Sequence, residues 1–130
     1  MNTAHICLLI ACLLPGMTIA LAKSATFKLP KEQNRYDNNN PRAWAARLTG
    51  WQQRAHAAHL NGFEALPLFI AGVILAEMAH VDQGRVDMLA LSFVILRIVY
   101  VATYLMNLGI LRSVVWFAAT GVSIALLAMA

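Results

Sequence analysis

The pattern of apolar and polar positions divides the chain into four long apolar segments and one polar stretch. The apolar segments cover roughly residues 2–22, 60–80, 86–108 and 113–130, and residues 23–59 form a polar loop between the first two. Each apolar segment is close to the ~20 residues with which an α-helix crosses a hydrocarbon core of about 30 Å. Short connections between the later segments indicate antiparallel neighbours. The pattern therefore predicts an all-α fold, an integral membrane four-helix bundle that forms a single domain over residues 1–130.

Composition favours a membrane environment over an aqueous one. Apolar residues make up 60% of the chain and charged residues 12%, against roughly a half and a quarter in soluble domains. Seven of the ten basic residues lie within residues 23–59, together with only two acidic residues. A basic stripe on a soluble domain would indicate nucleic-acid binding. Because this basic stretch lies between long apolar runs, we expect no nucleic-acid partner.

The distribution of charge between the loops predicts an orientation, since positively charged loops remain in the cytoplasm. The long loop and Arg112 supply eight basic residues on one side, and Arg85 is the single one on the other. We therefore expect a multi-pass protein with both termini outside the cytoplasm, in a bacterial inner membrane. The alternative, a cleaved signal peptide ending near Ala22, would leave the basic loop on the translocated side.

A short helix is predicted in the second half of the loop. Asn40 fits the N-cap position and Pro41 the first helical position, and good helix formers follow. We expect this helix to continue through Gly50 into the second membrane segment. Trp44 and Trp51 are seven residues apart and share a face, which is typical of anchors at a membrane interface.

Two polar stripes enter the membrane from the cytoplasmic side. A charge near the centre of a membrane helix costs at least about 2.5 to 3.5 kcal/mol and usually faces protein or a wet cavity. The stripe on the second segment consists of Arg54, Asn61 and Glu64, at about 0°, −20° and −80° round the helix. The stripe on the third segment consists of Arg97, Tyr100 and Tyr104, at about 0°, −60° and −20°.

These stripes allow two interpretations. In the first, Arg97 pairs with Glu64 and the tyrosine hydroxyls satisfy one another in a purely structural bundle. In the second, the stripes join Arg112 and Ser113 in a pocket for an anionic ligand. Guanidinium groups would bind carboxylates there, Glu64 would bind an ammonium group, and Arg112 would stabilise a thiolate. His56 and His59 have no third ligand at metal-site spacing, so no metal site is predicted.

At these residues the sequence resembles the MAPEG family, the membrane-associated proteins of eicosanoid and glutathione metabolism. Residues 54–69 are similar to the family signature, in which Arg, Asn, Glu and Pro recur at the separations of Arg54, Asn61, Glu64 and Pro67. The run Arg97-x-x-Tyr100-x-x-x-Tyr104 also resembles the family. The pair Arg112-Ser113 opens the fourth segment as in the prostaglandin synthase branch. The resemblance covers nearly the whole chain.

The resemblance implies a homotrimer that binds glutathione, as a co-substrate, between subunits near the cytoplasmic leaflet. It implies that Arg112 and Ser113 are catalytic, because they stabilise the glutathione thiolate. The expected activity is that of a transferase or peroxidase acting on a hydrophobic electrophile or lipid hydroperoxide that enters from the lipid bilayer. The residues implied to hold glutathione are Arg54, Asn61, Glu64, Arg97, Tyr100 and Tyr104, with Lys23 as a candidate for a basic residue of the first helix.

Two departures from the family pattern favour a rival function. Ala57 stands where many active members have a second arginine, and Trp116 replaces a tyrosine that often follows the arginine of the fourth helix. The rival is a non-catalytic lipid-binding or partner-presenting membrane protein of the same fold.

Overall fold

Four long helices and one short helix make up the structure, a computed structural model that describes all 130 residues. The long helices are α1 (Thr3–Ser24), α3 (Gly50–Met78), α4 (Gln83–Leu105) and α5 (Gly109–Met129), and the short one is α2 (Pro41–Ala46). A single 3₁₀ turn covers Lys31–Gln33. The predicted all-α fold is therefore confirmed. Each long helix is sufficiently long and apolar to cross a membrane, so the chain is an integral multi-pass membrane protein.

The long helices pack as a bundle in which α3 and α4 each contact the other three. Its core includes the stacked rings of Phe69 and Phe93, whose centroids are 3.8 Å apart. Large apolar side chains remain exposed on every long helix, including Leu13, Ile74 and Phe117. A soluble protein rarely exposes so much contiguous apolar surface, and lipid contact accounts for it.

A hydrogen-bonded network joins α1, α3 and α4 at the end of the bundle that carries the N-terminus. Glu77 at the end of α3 accepts hydrogen bonds from Asn2 (2.8 Å) and Gln83 (3.1 Å) and pairs with His5 (2.9 Å). Asp87 of α4 accepts hydrogen bonds from the backbone N–H of Ala4 and from Gln83. The two polar stripes lie toward the opposite end, where α4 ends and α5 begins.

The short helix begins at Pro41 with Asn40 at the N-cap position, as predicted, but its end differs from the prediction. The Asn40 side chain makes no capping hydrogen bond to α2 and donates to Asp37, 3.0 Å away. This hydrogen bond and that from the backbone N–H of Asn39 hold the pKa of Asp37 below its ordinary value. The helix ends at Ala46, and α3 begins at Gly50 with φ +60°. The prediction of one continuous helix through Gly50 is wrong, since a positive φ interrupts the helix there.

Trp44 is a core residue and not an exposed interfacial anchor. Its side chain is 1% exposed and packs with Ile19 and Leu48. The indole N–H donates to the Asn34 carbonyl at 3.0 Å, and Tyr36 approaches the ring edge-on at 5.0 Å. Burial of this aromatic ring attaches α2 and the loop to the end of α1. The expectation of interfacial anchoring is therefore wrong for Trp44, whereas Trp51 is exposed.

Candidate functional site

Arg97 carries a guanidinium group into the interior of the bundle from the middle of α4. The residue is only 3% exposed. Its Nη2 donates to Oδ1 of Asn61 on α3 at 2.9 Å, and its guanidinium carbon lies 4.2 Å from the ring centroid of Tyr100. The two polar stripes therefore meet at Arg97 and Asn61.

The ion pair between Arg97 and Glu64, which the sequence left open, is absent from the structure. The single ion pair within 4.0 Å is that of His5 and Glu77 at the other end of the bundle. Glu64 instead accepts a long hydrogen bond, 3.4 Å, from the amide of Asn61. Its carboxylate is exposed at the surface of the bundle. Glu64 therefore keeps hydrogen-bond acceptors available for a further donor.

Two guanidinium groups flank a pair of aromatic rings between Arg97 and the start of α5. The Tyr100 and Tyr104 rings meet edge to face with centroids 5.7 Å apart. The guanidinium carbon of Arg112 lies 4.3 Å from the Tyr104 ring centroid. Each guanidinium group is thus held against the face of an aromatic ring, a favourable electrostatic contact. This arrangement fixes one positive charge on α4 and one on α5 without neutralising either of them.

Arg54 has a partner that the sequence did not indicate. Its Nε and Nη2 donate to the Leu105 carbonyl at 3.3 and 3.2 Å. The last carbonyls of a helix have no partner within the helix, so Arg54 satisfies one of them at the end of α4. Ser113 is also engaged locally, because its hydroxyl donates to the Gly109 carbonyl at 3.1 Å.

Two neighbouring depressions contain the predicted residues other than Arg54. The first encloses about 520 Å³, and Asn61, Glu64 and Arg97 line it. The second encloses about 450 Å³ and is lined by Tyr100, Tyr104, Arg112 and Ser113. Trp116 lines both depressions. The structure therefore places seven of the eight predicted site residues along one surface formed by α3, α4 and α5.

Thr120 and Ser123 also line the first depression, and the sequence reasoning missed them. The Ser123 hydroxyl is buried and has no hydrogen-bond partner. Buried polar groups almost always have a partner, so this hydroxyl marks a point where a ligand or water is expected. The signal was present in the sequence, since Arg112, Trp116, Thr120 and Ser123 follow one another at helical spacing on one face of α5.

The chemistry of this surface fits a small ligand with several charges. The guanidinium groups of Arg97 and Arg112 face a single carboxylate, that of Glu64, so the surface carries a net positive charge. Such a set binds a molecule that carries more than one anionic group and one cationic group. Tyr104 and Trp116 add aromatic surface to the second depression.

Comparison with known proteins relates nearly the whole chain to one family. No curated protein and no solved structure gives a match. The family model that matches residues 3–130 is described as "MAPEG family".

Proposed function

Because the chain belongs to the MAPEG family, we propose that it is a membrane-bound, glutathione-dependent transferase or peroxidase. The family includes glutathione transferases and peroxidases. The substrate would be a hydrophobic electrophile or a lipid hydroperoxide that enters from the bilayer. The observation that carries the proposal is the surface on which Asn61, Glu64 and Arg97 lie beside the depression that contains Arg112.

Glutathione matches this set of groups. It carries two carboxylates, one ammonium group and one thiol. Arg54 and Arg97 are the candidates for the carboxylates, and Glu64 is the candidate for the ammonium group, because opposite charges in a water-poor site attract strongly. Tyr100 and Tyr104 hold Arg97 and Arg112 in place through ring contacts of 4.2 and 4.3 Å.

Arg112 is the proposed catalytic cation. Its positive charge would favour the thiolate form of glutathione, which is the nucleophilic form. The thiolate sulfur then bonds to the electrophilic carbon, the bond from that carbon to its leaving group breaks, and the leaving group departs with the electron pair. The thiol proton goes to water. Ser113 keeps oxygen lone pairs free, since its hydroxyl proton is directed at the Gly109 carbonyl. Its oxygen would accept a hydrogen bond from glutathione or from a water molecule.

We propose that this surface is completed by further copies of the chain in a homotrimer. Glu64 is exposed on a helix that is long and apolar enough to cross the membrane. A bare carboxylate that faces lipid inside the membrane is unfavourable, by at least about 2.5 to 3.5 kcal/mol at the centre. A second copy of the chain packed over the two depressions would shield Glu64 and enclose the glutathione site.

The activity test uses detergent-purified protein, glutathione and chlorodinitrobenzene as a test electrophile. Thioether formation, followed by absorbance, is expected only when glutathione is present. Arg112→Ala should slow it about 100-fold, the usual loss when one group that stabilises a developing anion is removed. Arg85→Ala, which removes the same charge at the other end of the bundle, should leave the rate unchanged. Equal rates for the Arg112 variant and the parent protein would exclude the thiolate role.

A second candidate is a non-catalytic lipid-binding protein of the same fold. Trp116 favours it, because the indole lines both depressions and adds an apolar wall where a polar ligand would lie. Calorimetric titration with glutathione separates the two candidates. Binding in the micromolar to millimolar range supports the glutathione-dependent enzyme, and absence of binding supports the lipid-binding protein.

A further inference from the structure

The hydroxyl group of Ser123 lacks the hydrogen bond that hydroxyl groups elsewhere in the bundle make. Thr18, Ser92 and Thr103 each donate to a carbonyl three or four residues earlier in their own helix, at 2.8 Å. Ser123 is 1% exposed, yet its hydroxyl has no partner. An unpaired polar group is unfavourable where bulk water does not reach it. The position therefore indicates that a group from outside the chain satisfies Ser123.

Ser123 lies at the inner end of the first depression. The α3 wall of this depression runs from Asn61 to Leu68 and the α5 wall from Trp116 to Ser123, each about 10 Å along its helix. Because α5 begins at the end of the bundle that carries the polar stripes, Ser123 lies deeper in the membrane than Trp116. Leu68 and Phe93 also line this inner end. The Ser123 hydroxyl is thus a directional hydrogen-bonding group with apolar neighbours.

Arg97 lines the same depression with unused hydrogen-bond donors. Its guanidinium group has five N–H bonds, and it makes a single side-chain hydrogen bond, to Asn61. Glu64 also lines the depression, but its carboxylate is more than 4.0 Å from the guanidinium group. A ligand group that satisfies both Arg97 and Ser123 must accept hydrogen bonds and carry negative charge. A carboxylate meets both requirements, because its two oxygens offer about four acceptor positions.

We propose that Ser123 and Thr120 are binding residues for the carboxylate that Arg97 attracts. Thr120 is half-buried, lines the depression and lies three residues before Ser123 on the same face of α5. The guanidinium group supplies the charge, and the two hydroxyl groups donate hydrogen bonds to the remaining acceptor positions of the carboxylate. The inference rests on the proposed function, in which this carboxylate is one of the two that glutathione carries.

Calorimetric titration of the detergent-purified protein with glutathione tests the role of Ser123. Ser123→Ala should weaken glutathione binding about tenfold, since one hydrogen bond to a charged group is lost. Ser92→Ala is the matched control, because it removes a hydroxyl group about 140° round α4 from Arg97, outside both depressions. It should leave the affinity unchanged. Equal affinities for the parent protein and Ser123→Ala would overturn the proposal.

Two substitutions at Thr120 test the second hydroxyl group in the same titration. Thr120→Val keeps the shape of the side chain but removes the hydroxyl, and it should weaken glutathione binding by a similar factor. Thr120→Ser retains the hydroxyl and should preserve the affinity. Equal weakening by the two substitutions would show that the methyl group matters, and it would refute the role assigned to the Thr120 hydroxyl.

Thermal unfolding without ligand separates a binding role of Ser123 from a structural one. Ser123→Ala should leave the melting temperature unchanged or raise it, because the hydroxyl that it removes has no partner in the ligand-free protein. A lower melting temperature together with weaker binding would show that Ser123 supports the fold, and it would overturn the binding role.

An ester of glutathione identifies the chemical group that the hydroxyl groups bind. Glutathione diethyl ester keeps the thiol and the ammonium group but carries no carboxylate. In competition with glutathione it should bind the parent protein more weakly, and Ser123→Ala should change its affinity by much less than tenfold. A tenfold loss for the ester as well would overturn the carboxylate assignment.

Failure of this inference and failure of the proposed function give different titration results. If glutathione does not bind the parent protein, the glutathione-dependent function fails, and the role of the hydroxyl groups fails with it. If glutathione binds the parent protein and Ser123→Ala equally well, only the role of the α5 hydroxyl groups fails.

Discussion

Arg97 is a buried cation without a carboxylate partner. Its charge is accommodated by the Asn61 carbonyl oxygen at 2.9 Å and by the face of the Tyr100 ring at 4.2 Å. Removing one partner of a buried charge is costly, whereas removing both the charge and its partner is often tolerated. The contact between Arg97 and Asn61 therefore contributes to stability as a pair.

A double-mutant cycle tests this pairing. Asn61→Leu should destabilise the protein by about 1 to 3 kcal/mol, because it leaves the Arg97 guanidinium without its hydrogen-bond acceptor. In an Arg97→Met background the same substitution should cost much less. Thermal unfolding in detergent, followed by circular dichroism, measures both values. An equal loss in the two backgrounds would show that Asn61 acts independently of Arg97.

Helical spacing predicted which residues share a face of α3, but it did not predict which of them contacts Arg97. The spacing placed Arg54, Asn61 and Glu64 on one face of α3, and the structure has Asn61 in contact with Arg97 and Glu64. Spacing within one helix does not determine the register between two helices. The acceptor of Arg97 is therefore Asn61 and not Glu64, and Arg54 contacts a backbone carbonyl that no side-chain pattern reports.

Among the elements, α1 and α3 approach each other closely at Pro15. A Cβ atom added at Gly62 would lie 2.7 Å from Cγ of Pro15. One turn away, His59 contacts the Pro15 carbonyl. Small residues at helix contacts allow this kind of close approach in membranes. Gly62 is therefore a packing requirement of the α1–α3 contact.

Gly62→Ala should lower the melting temperature, because the proline ring cannot rotate away from the added methyl group. The expected destabilisation is about 1 to 3 kcal/mol, typical of overpacking. Gly121→Ala is the matched control, since nothing lies within 4 Å of its added Cβ. It should be neutral or slightly stabilising, because alanine favours helix more than glycine does. A Gly62 variant as stable as this control would contradict the close contact.

The existence of the long helices was predictable, whereas the end of α2 and the role of Trp44 were not. Apolar runs of membrane length directly predict α1, α3, α4 and α5. Good helix formers continue past Ala46, so local propensity favoured one continuous helix. Burial of Trp44 against Ile19 requires the chain to change direction before Gly50. That tertiary contact outweighs local propensity, and no short window of sequence contains it.

On the scale of the whole molecule, the two ends of the bundle differ in charge. One end carries the network of Glu77 and Asp87 with His5. The other carries the basic loop and Arg112. Positively charged loops remain in the cytoplasm, and the proposed orientation with both termini outside follows from this asymmetry.

Cysteine labelling tests the orientation in a background with Cys7→Ala and Cys12→Ala. Lys31→Cys and Arg85→Cys place single thiols at exposed positions at opposite ends of the bundle. A membrane-impermeant maleimide should label the Arg85 variant in intact spheroplasts and the Lys31 variant only after lysis, because the basic loop is retained in the cytoplasm. The opposite labelling pattern would reverse the proposed topology.

Arg54 donates hydrogen bonds to the Leu105 carbonyl, and Arg54 is also a proposed ligand-binding residue. The affinity for the ligand would therefore depend on the stability of the last turn of α4. A ligand anion that draws the Arg54 side chain away from α4 would leave this carbonyl without its donor. The free energy of that lost cap is subtracted from the free energy of ligand binding, and the coupling is reciprocal. The turn after Leu105 leads directly into α5 and Arg112. In the proposed enzyme, occupancy at Arg54 would therefore act on the backbone turn that leads to Arg112, the proposed catalytic cation.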